Sequence, residues 1–182
     1  MIITDNIERL ISADEIAVRV ATLAEEIAQK LPPDLMIVSL LRGSFMFTAD
    51  LIRALHNVGN KALRPQIDFM TLASYGEGTV SSGEIQVVRD LKENVEGHDV
   101  LIVDDILESG RTLAYARDVI TQRKAKSVKI AVLLEKPGKR KVDNVTADFV
   151  GFVIPDKFVV GYGLDYANYY RELPYIGVIT IN

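Results

Sequence analysis

The chain has 182 residues, of which 48% are hydrophobic and 25% charged, with a net charge of −4; this suits one soluble domain with a core that needs no covalent staples, and it excludes a disordered chain. With no cysteine, and with His56 and His98 as its only histidines, it can hold neither a disulfide nor a thiolate or three-histidine metal site, and a Ser-His-Asp hydrolase is poorly supported. No apolar run approaches the roughly 18 residues of a membrane span, and an acidic balance gives no bulk support for nucleic-acid binding.

Met1-Ile2-Ile3-Thr4-Asp5 lacks the basic-then-apolar order of a signal peptide, so the expected location is cytoplasmic. Ser12 and Glu15 read as a capping box opening a helix over 13–31. Its apolar stripe is Ile16, Val20, Leu23, Ile27 and Leu31, and Pro32-Pro33 stops it. The run 35–40 suits a strand buried on both faces, and 45–55 is helical again. Alternation predicts a strand over 67–72, a polar glycine-serine loop over 74–83 and a returning strand over 84–89. A buried strand over 100–103 ends in Asp104-Asp105, and a helix follows over 111–123. Strands over 128–134, 149–154 and 176–181 complete the series. This alternation predicts an α/β domain spanning 1–182, with a mostly parallel central sheet flanked by helices and a flexible hairpin loop.

The segment 100–113 carries the chemistry. It reads as strand, acidic pair, turn and helix N-terminus, and in an open parallel sheet ligands bind at the carboxyl ends of strands. Amides from Ser109 to Leu113 lack intrahelical partners and lie at the positive end of the helix dipole, so they can hold a phosphate. Ser109 and Thr112 add hydroxyl donors, and Gly110 permits close backbone approach. Asp104 and Asp105 would repel a phosphate unless they met hydroxyls or a cation. A ribose 5-phosphate satisfies both halves.

This segment closely resembles the phosphoribosyl pyrophosphate (PRPP) motif of the type I phosphoribosyltransferases: four apolar residues, two acids, two apolar residues, an acid, a hydroxyl residue, glycine, a variable residue and threonine. The likeness extends to the hypoxanthine-guanine branch of that family. Leu40-Leu41-Arg42-Gly43-Ser44 resembles its pyrophosphate loop, Ser74-Tyr75-Gly76 its mobile loop, and Glu135-Lys136 its purine-reading lysine. The run from Pro155 to Tyr166 is similar to its C-terminal purine and metal segment, and 171–176 continues the match. The resemblance covers residues 35–181 and implies the type I fold with a small hood formed by the terminal segments.

It also implies roles. Asp104 and Asp105 would hold the ribose hydroxyls directly or through magnesium, and Ser109, Gly110, Arg111 and Thr112 the 5′-phosphate. Arg42 and Gly43 would contact pyrophosphate, with a cis peptide often found before this basic residue. Phe158 would face the purine ring, Val159 would read its edge through the main chain, and Lys136 would donate to a 6-oxo group. An ammonium rewards a carbonyl acceptor and disfavours the amino group of adenine. Asp165 would hold a second magnesium with Arg171 beside it, and Ser74 and Tyr75 would help exclude water. Glu108 stands where the family usually has aspartate, as acceptor for the purine N7 proton; the extra methylene leaves its geometry open. The implied reaction is transfer of phosphoribose to hypoxanthine or guanine, giving the nucleotide (IMP or GMP) and pyrophosphate. The implied assembly is a homodimer or homotetramer.

Two alternatives stay open from the residues. One is a xanthine-preferring transferase. The other is a regulator that keeps the PRPP fold but binds RNA or protein through the basic stretch 123–141, most of whose cations read as solvated surface charges. A P-loop enzyme is excluded, because no Gly-x-x-x-x-Gly-Lys-Ser/Thr run occurs.

Overall fold

The structure is a computed structural model that describes residues 7–58, 63–74 and 85–180. Its central sheet has six strands in the order β4-β3-β2-β5-β6-β7. These are β2 (Met36–Leu41), β3 (Gln66–Ser74), β4 (Ile85–Arg89), β5 (Asp99–Leu107), β6 (Ser127–Glu135) and β7 (Phe149–Val153). All pairings are parallel except β3 with β4, so the antiparallel strand lies at one edge.

The continuous apolar runs of β2 and β5 are explained by parity. Ile37, Leu101 and Val103 pack with helices α1 (Ala13–Lys30) and α2 (Phe45–His56). Met36, Val38, Val100 and Ile102 pack against α3 (Arg111–Gln122) on the opposite face. Because both faces are covered, both parities are apolar except where a buried polar group finds hydrogen-bond partners, as Ser39 does, or faces the site, as Asp104 does. The capping box of α1 is formed as the sequence predicts: the Ser12 side chain accepts from the Glu15 amide, and the Glu15 carboxylate accepts from the Ser12 amide at 2.8 Å.

A second, three-stranded antiparallel sheet joins β1 (Ile7–Ile11), β9 (Ile176–Ile179) and β8 (Val159–Val160) in the order β1-β9-β8. This is the expected hood built from terminal segments. The sequence reading missed β1 and β8 as strands. It also ended the strand before Asp104, whereas β5 continues through both aspartates to Leu107. The reason is asymmetric pairing. On one side β5 bonds to β2 only as far as Val103↔Ser39, while on the other it stays in register with β6 to Leu107↔Glu135. The loop read over 74–83 lies, beyond Ser74, outside the described residues. Among the described residues, no helix is long and apolar enough to cross a membrane.

Candidate active site

The chain runs from β2 through α2 to β3 on one side of the sheet, and from β5 through α3 to β6 on the other. Between β2 and β5 the winding reverses, which leaves a crevice beyond their carboxyl ends. A cavity of about 280 Å³ fills it. Arg42, Gly43, Asp104, Asp105, Glu108, Ser109, Gly110 and Thr112 all line this cavity. Residues some sixty positions apart in sequence therefore converge where the segment 100–113 alone had suggested a site.

Asp104 is buried and Asp105 partly so. Burial pushes the Asp104 carboxyl well above the usual range, and the neighbouring Asp105 charge adds to this. Burial raises Asp105 as well, although a hydrogen bond from Asp104 and the Ile106 amide oppose it, with Arg171 contributing. Two carboxylates held this way lack compensation and suit hydroxyl donors or a cation. Past them, Gly110 adopts a left-handed φ of 81° at the N-cap of α3. A side chain there would meet Val145 Cγ1 at 2.7 Å and Arg140 Cδ at 3.3 Å. The Lys141 amide bonds to Ser109 O at 2.9 Å, so the 140–145 segment forms the bed of the turn. The first i→i−4 bond of α3 runs from Ala114 to Gly110, leaving the preceding amides at the cavity rim. Of these, the Arg111 amide is taken up by Ser109 Oγ at 3.3 Å, and Arg111 does not line the cavity.

The opposite wall is the loop after β2. The Leu41–Arg42 peptide is cis, as the resemblance implied, and Arg42 is exposed. A Cβ on Gly43 would lie 1.6 Å from Asp105 Oδ2, so only glycine lets that carboxylate sit against the loop. Behind the loop, the buried Ser39 hydroxyl lies 2.8 Å from both Ser44 Oγ and Thr48 Oγ1, and Ser44 donates to Leu40 O. This network ties the end of β2 to the start of α2. From the hood side, Gly163 at φ 101° presses against Gly43; a side chain on it would come within 2.1 Å of Gly43 O. Arg171 stabilises that turn, donating to Gly163 O at 2.6 Å and pairing with Asp165 at 2.7 Å. Asp165 also accepts from the Asn168 amide. Asp165 and Arg171 thus reach the site as a pair, through the hood turn that touches the β2 loop.

Lys136 follows β6 and is almost fully buried at 5% exposure, with Nζ 3.7 Å from Glu108 Oε1. Glu108 is more open and faces the cavity. Phe158, 47% exposed, is not a core residue; it meets Tyr166 edge-on at 5.7 Å. Val159 is buried in β8. Phe158, Val159, Lys136, Asp165 and Arg171 do not line the central cavity; Lys136 reaches it through Glu108, and Arg171 through its charge contact with Asp105. Ser74 ends β3, and Tyr75 lies outside the described residues. Among the described residues, no cluster of three or more His, Cys, Asp or Glu side chains could hold a metal by itself.

Exposure agrees with the expectation that most cations of 123–141 are surface charges: Lys124, Lys126, Lys129, Lys139 and Lys141 are exposed, Arg123 and Arg140 are partly covered, and Lys136 is buried. Arg123 pairs with Asp90, Lys124 with Glu96, Lys126 with Asp99 and Lys129 with Asp148. Lys136 pairs with Glu108, Lys139 with Asp156 and Arg140 with Glu135. Most partners come from outside the stretch, so no local scan could find them. Arg140 was missed as part of the site. Its stem packs beneath Gly110, and its Nη1 is the buried side-chain donor without a partner among the described residues.

The phosphoribosyl transferase domain family matches residues 6–167. The chain is 47% identical over 171 residues to the bifunctional protein TilS/HprT of Listeria monocytogenes serotype 4b (strain F2365); this covers 93% of the chain but only 25% of that much longer protein. It is 48% identical over 171 residues to the hypoxanthine-guanine phosphoribosyltransferase of Bacillus subtilis (strain 168), covering 93% of the chain and 91% of the relative. A solved hypoxanthine phosphoribosyltransferase from Staphylococcus aureus superposes with a TM-score of 0.87 at 42% identity, covering 95% of this chain and 91% of that one. By sequence and by fold, the chain belongs to the phosphoribosyl transferase domain family.

Proposed function

We propose that the chain is a purine-salvage transferase that joins a 6-oxopurine, hypoxanthine or guanine, to PRPP and releases pyrophosphate. The observation that carries this reading is the end of β5, where a buried carboxylate pair, an acid facing the cavity and a glycine turn at a helix N-terminus line one cavity with the β2 loop. The names of the Bacillus and Staphylococcus relatives support the purine assignment.

In this reading the amides of Ser109, Gly110, Thr112 and Leu113 and the hydroxyls of Ser109 and Thr112 take the 5′-phosphate, while Asp104 and Asp105 take the ribose diol. Arg42 and Gly43 meet the pyrophosphate with Arg171 beside them. The Lys136 ammonium selects a 6-oxo group, Phe158 covers a face of the base, and Val159 reads its edge. Purine N9 displaces pyrophosphate at C1 through an oxocarbenium-like state, and Glu108 takes or shares the N7 proton. Ser74 and Tyr75 belong to the loop that would exclude water.

Asp104, Asp105 and Asp165 offer the hard oxygen ligands that suit magnesium, which takes one or two carboxylates and completes its shell from substrate phosphates and water. When bound, magnesium supplies charge neutralisation on the leaving pyrophosphate. We place the protein in the cytoplasm as a homodimer or homotetramer, which sedimentation of the purified chain checks.

The deciding experiment is pyrophosphate release from PRPP with hypoxanthine, guanine and xanthine in turn, with and without magnesium. Glu108→Gln is expected to slow the forward reaction by roughly 10²-fold or more with the fold intact. A variant as fast as wild type removes Glu108 from the proton-accepting role, and turnover with xanthine alone replaces the preferred base.

A further inference from the structure

Two lysine–carboxylate pairs follow one another past the end of β6. Lys136 Nζ lies 3.7 Å from Glu108 Oε1. Lys139 sits in the short 3-10 turn Pro137–Lys139 that follows Lys136, with Nζ 2.8 Å from Asp156 Oδ2. Asp156 belongs to the connection between β7 and β8, two residues before Phe158. The Lys139–Asp156 pair therefore joins the turn that carries Lys136 to the segment that carries Phe158.

We propose that Asp156 is a positioning residue for the transfer step: it engages Lys139 and so keeps that ammonium from closing on Glu108, leaving the Glu108 carboxylate free to accept the purine's proton. The inference rests on Glu108 being the proton acceptor.

Three observations carry it. First, Lys139 is already within the field of both acids: its hydrogen bond and charge contact with Asp156 dominate the rise in its pKa, and Glu108 adds to it. Second, Lys139 and Asp156 are each about half exposed, so their bridge is weak and exchangeable. Freed of its partner, a lysine on a flexible four-carbon stem can turn toward Glu108, whose charge it already feels. Third, Glu108 already has one ammonium, the buried Lys136, at 3.7 Å. A second cation in direct contact would occupy a lone pair the proton needs and would stabilise the carboxylate against protonation. Glutamate, one methylene longer than aspartate, reaches further from β5 and makes this capture easier.

The test measures pyrophosphate release in single turnover with saturating PRPP, hypoxanthine and magnesium. Asp156→Asn is expected to slow release roughly tenfold, a partial loss of acid–base assistance, and in separate initial-rate runs with PRPP varied its KM for PRPP is unchanged. Asp156→Glu, which keeps a carboxylate for Lys139, retains the wild-type rate. Lys139→Met alone retains it too, and in the Asp156→Asn background it restores release to within about twofold, since the misplaced ammonium is gone. A wild-type rate for Asp156→Asn, or a double variant as slow as Asp156→Asn, overturns the inference. Full activity in Glu108→Gln instead overturns the reading on which it rests, and that result is independent of any change at Asp156.

Discussion

Gly43→Ala isolates what the approach of the β2 loop to Asp105 does. The new methyl carbon would stand 1.6 Å from Asp105 Oδ2 and 2.6 Å from its Cγ, where contacts under 3.0 Å are not tolerated. The carboxylate oxygen must retreat by about 1.4 Å to restore that distance. Retreat also strains the bond that Asp105 Oδ1 accepts from the Ile106 amide at 2.8 Å. A displacement of about 1 Å in a positioning group costs on the order of 10²-fold in rate, or ~2.7 kcal/mol of transition-state stabilisation. Because the obstacle is the end of a side chain rather than backbone, folding loses far less, about 1 kcal/mol or ~2–4 °C in melting temperature for a domain of this size. The assay is initial-rate pyrophosphate release with PRPP varied, beside a thermal scan. A variant that melts near wild type and keeps its kcat/KM for PRPP would refute the assignment of Asp105 to the ribose.

Asp104→Asn should melt higher than wild type in the unliganded protein at neutral pH, while losing activity. Because burial raises the Asp104 pKa, the folded chain binds more protons than the unfolded one between the unfolded value, about 3.9, and the raised folded value, so wild-type stability falls as pH rises through that window. Asparagine escapes this and keeps the acceptor for the Asp105 amide; an unchanged or lower melting point at neutral pH counts against the buried charge. Asp68→Asn should do the reverse. Burial acts to raise that carboxyl, but amide bonds from Glu93, Phe69 and Lys92 outweigh it and hold it below its usual value. The stability it contributes is present above about pH 3.9 and lost as pH falls through the depressed folded value. Urea titrations should show the variant roughly 1–3 kcal/mol weaker at neutral pH, with the gap closing in acid; a gap that is constant with pH contradicts the ionic account.

The fold was legible where burial writes a pattern. The runs 35–40 and 100–103 announced strands covered on both faces, and the Ser12–Glu15 box marked the start of α1 to the residue. What pattern could not supply was pairing. Val159–Val160 is a strand only because β9 lies beside it, and Asp104 and Asp105 are in a strand only because β6 runs on after β2 has stopped. The cavity's composition was readable from two motifs, since glycine turns and acid pairs are local chemistry. The supporting contacts were not: the Gly43–Asp105 and Gly163–Gly43 approaches, the Arg140 bed beneath Gly110 and most of the acids that answer the basic stretch join residues far apart in sequence.

The apposition of Gly163 and Gly43 leaves no room for a methyl group between hood and core. The two bodies meet there like the leaves of a closed book, so the hood turn that carries Asp165 cannot shift without dragging the loop that carries Arg42.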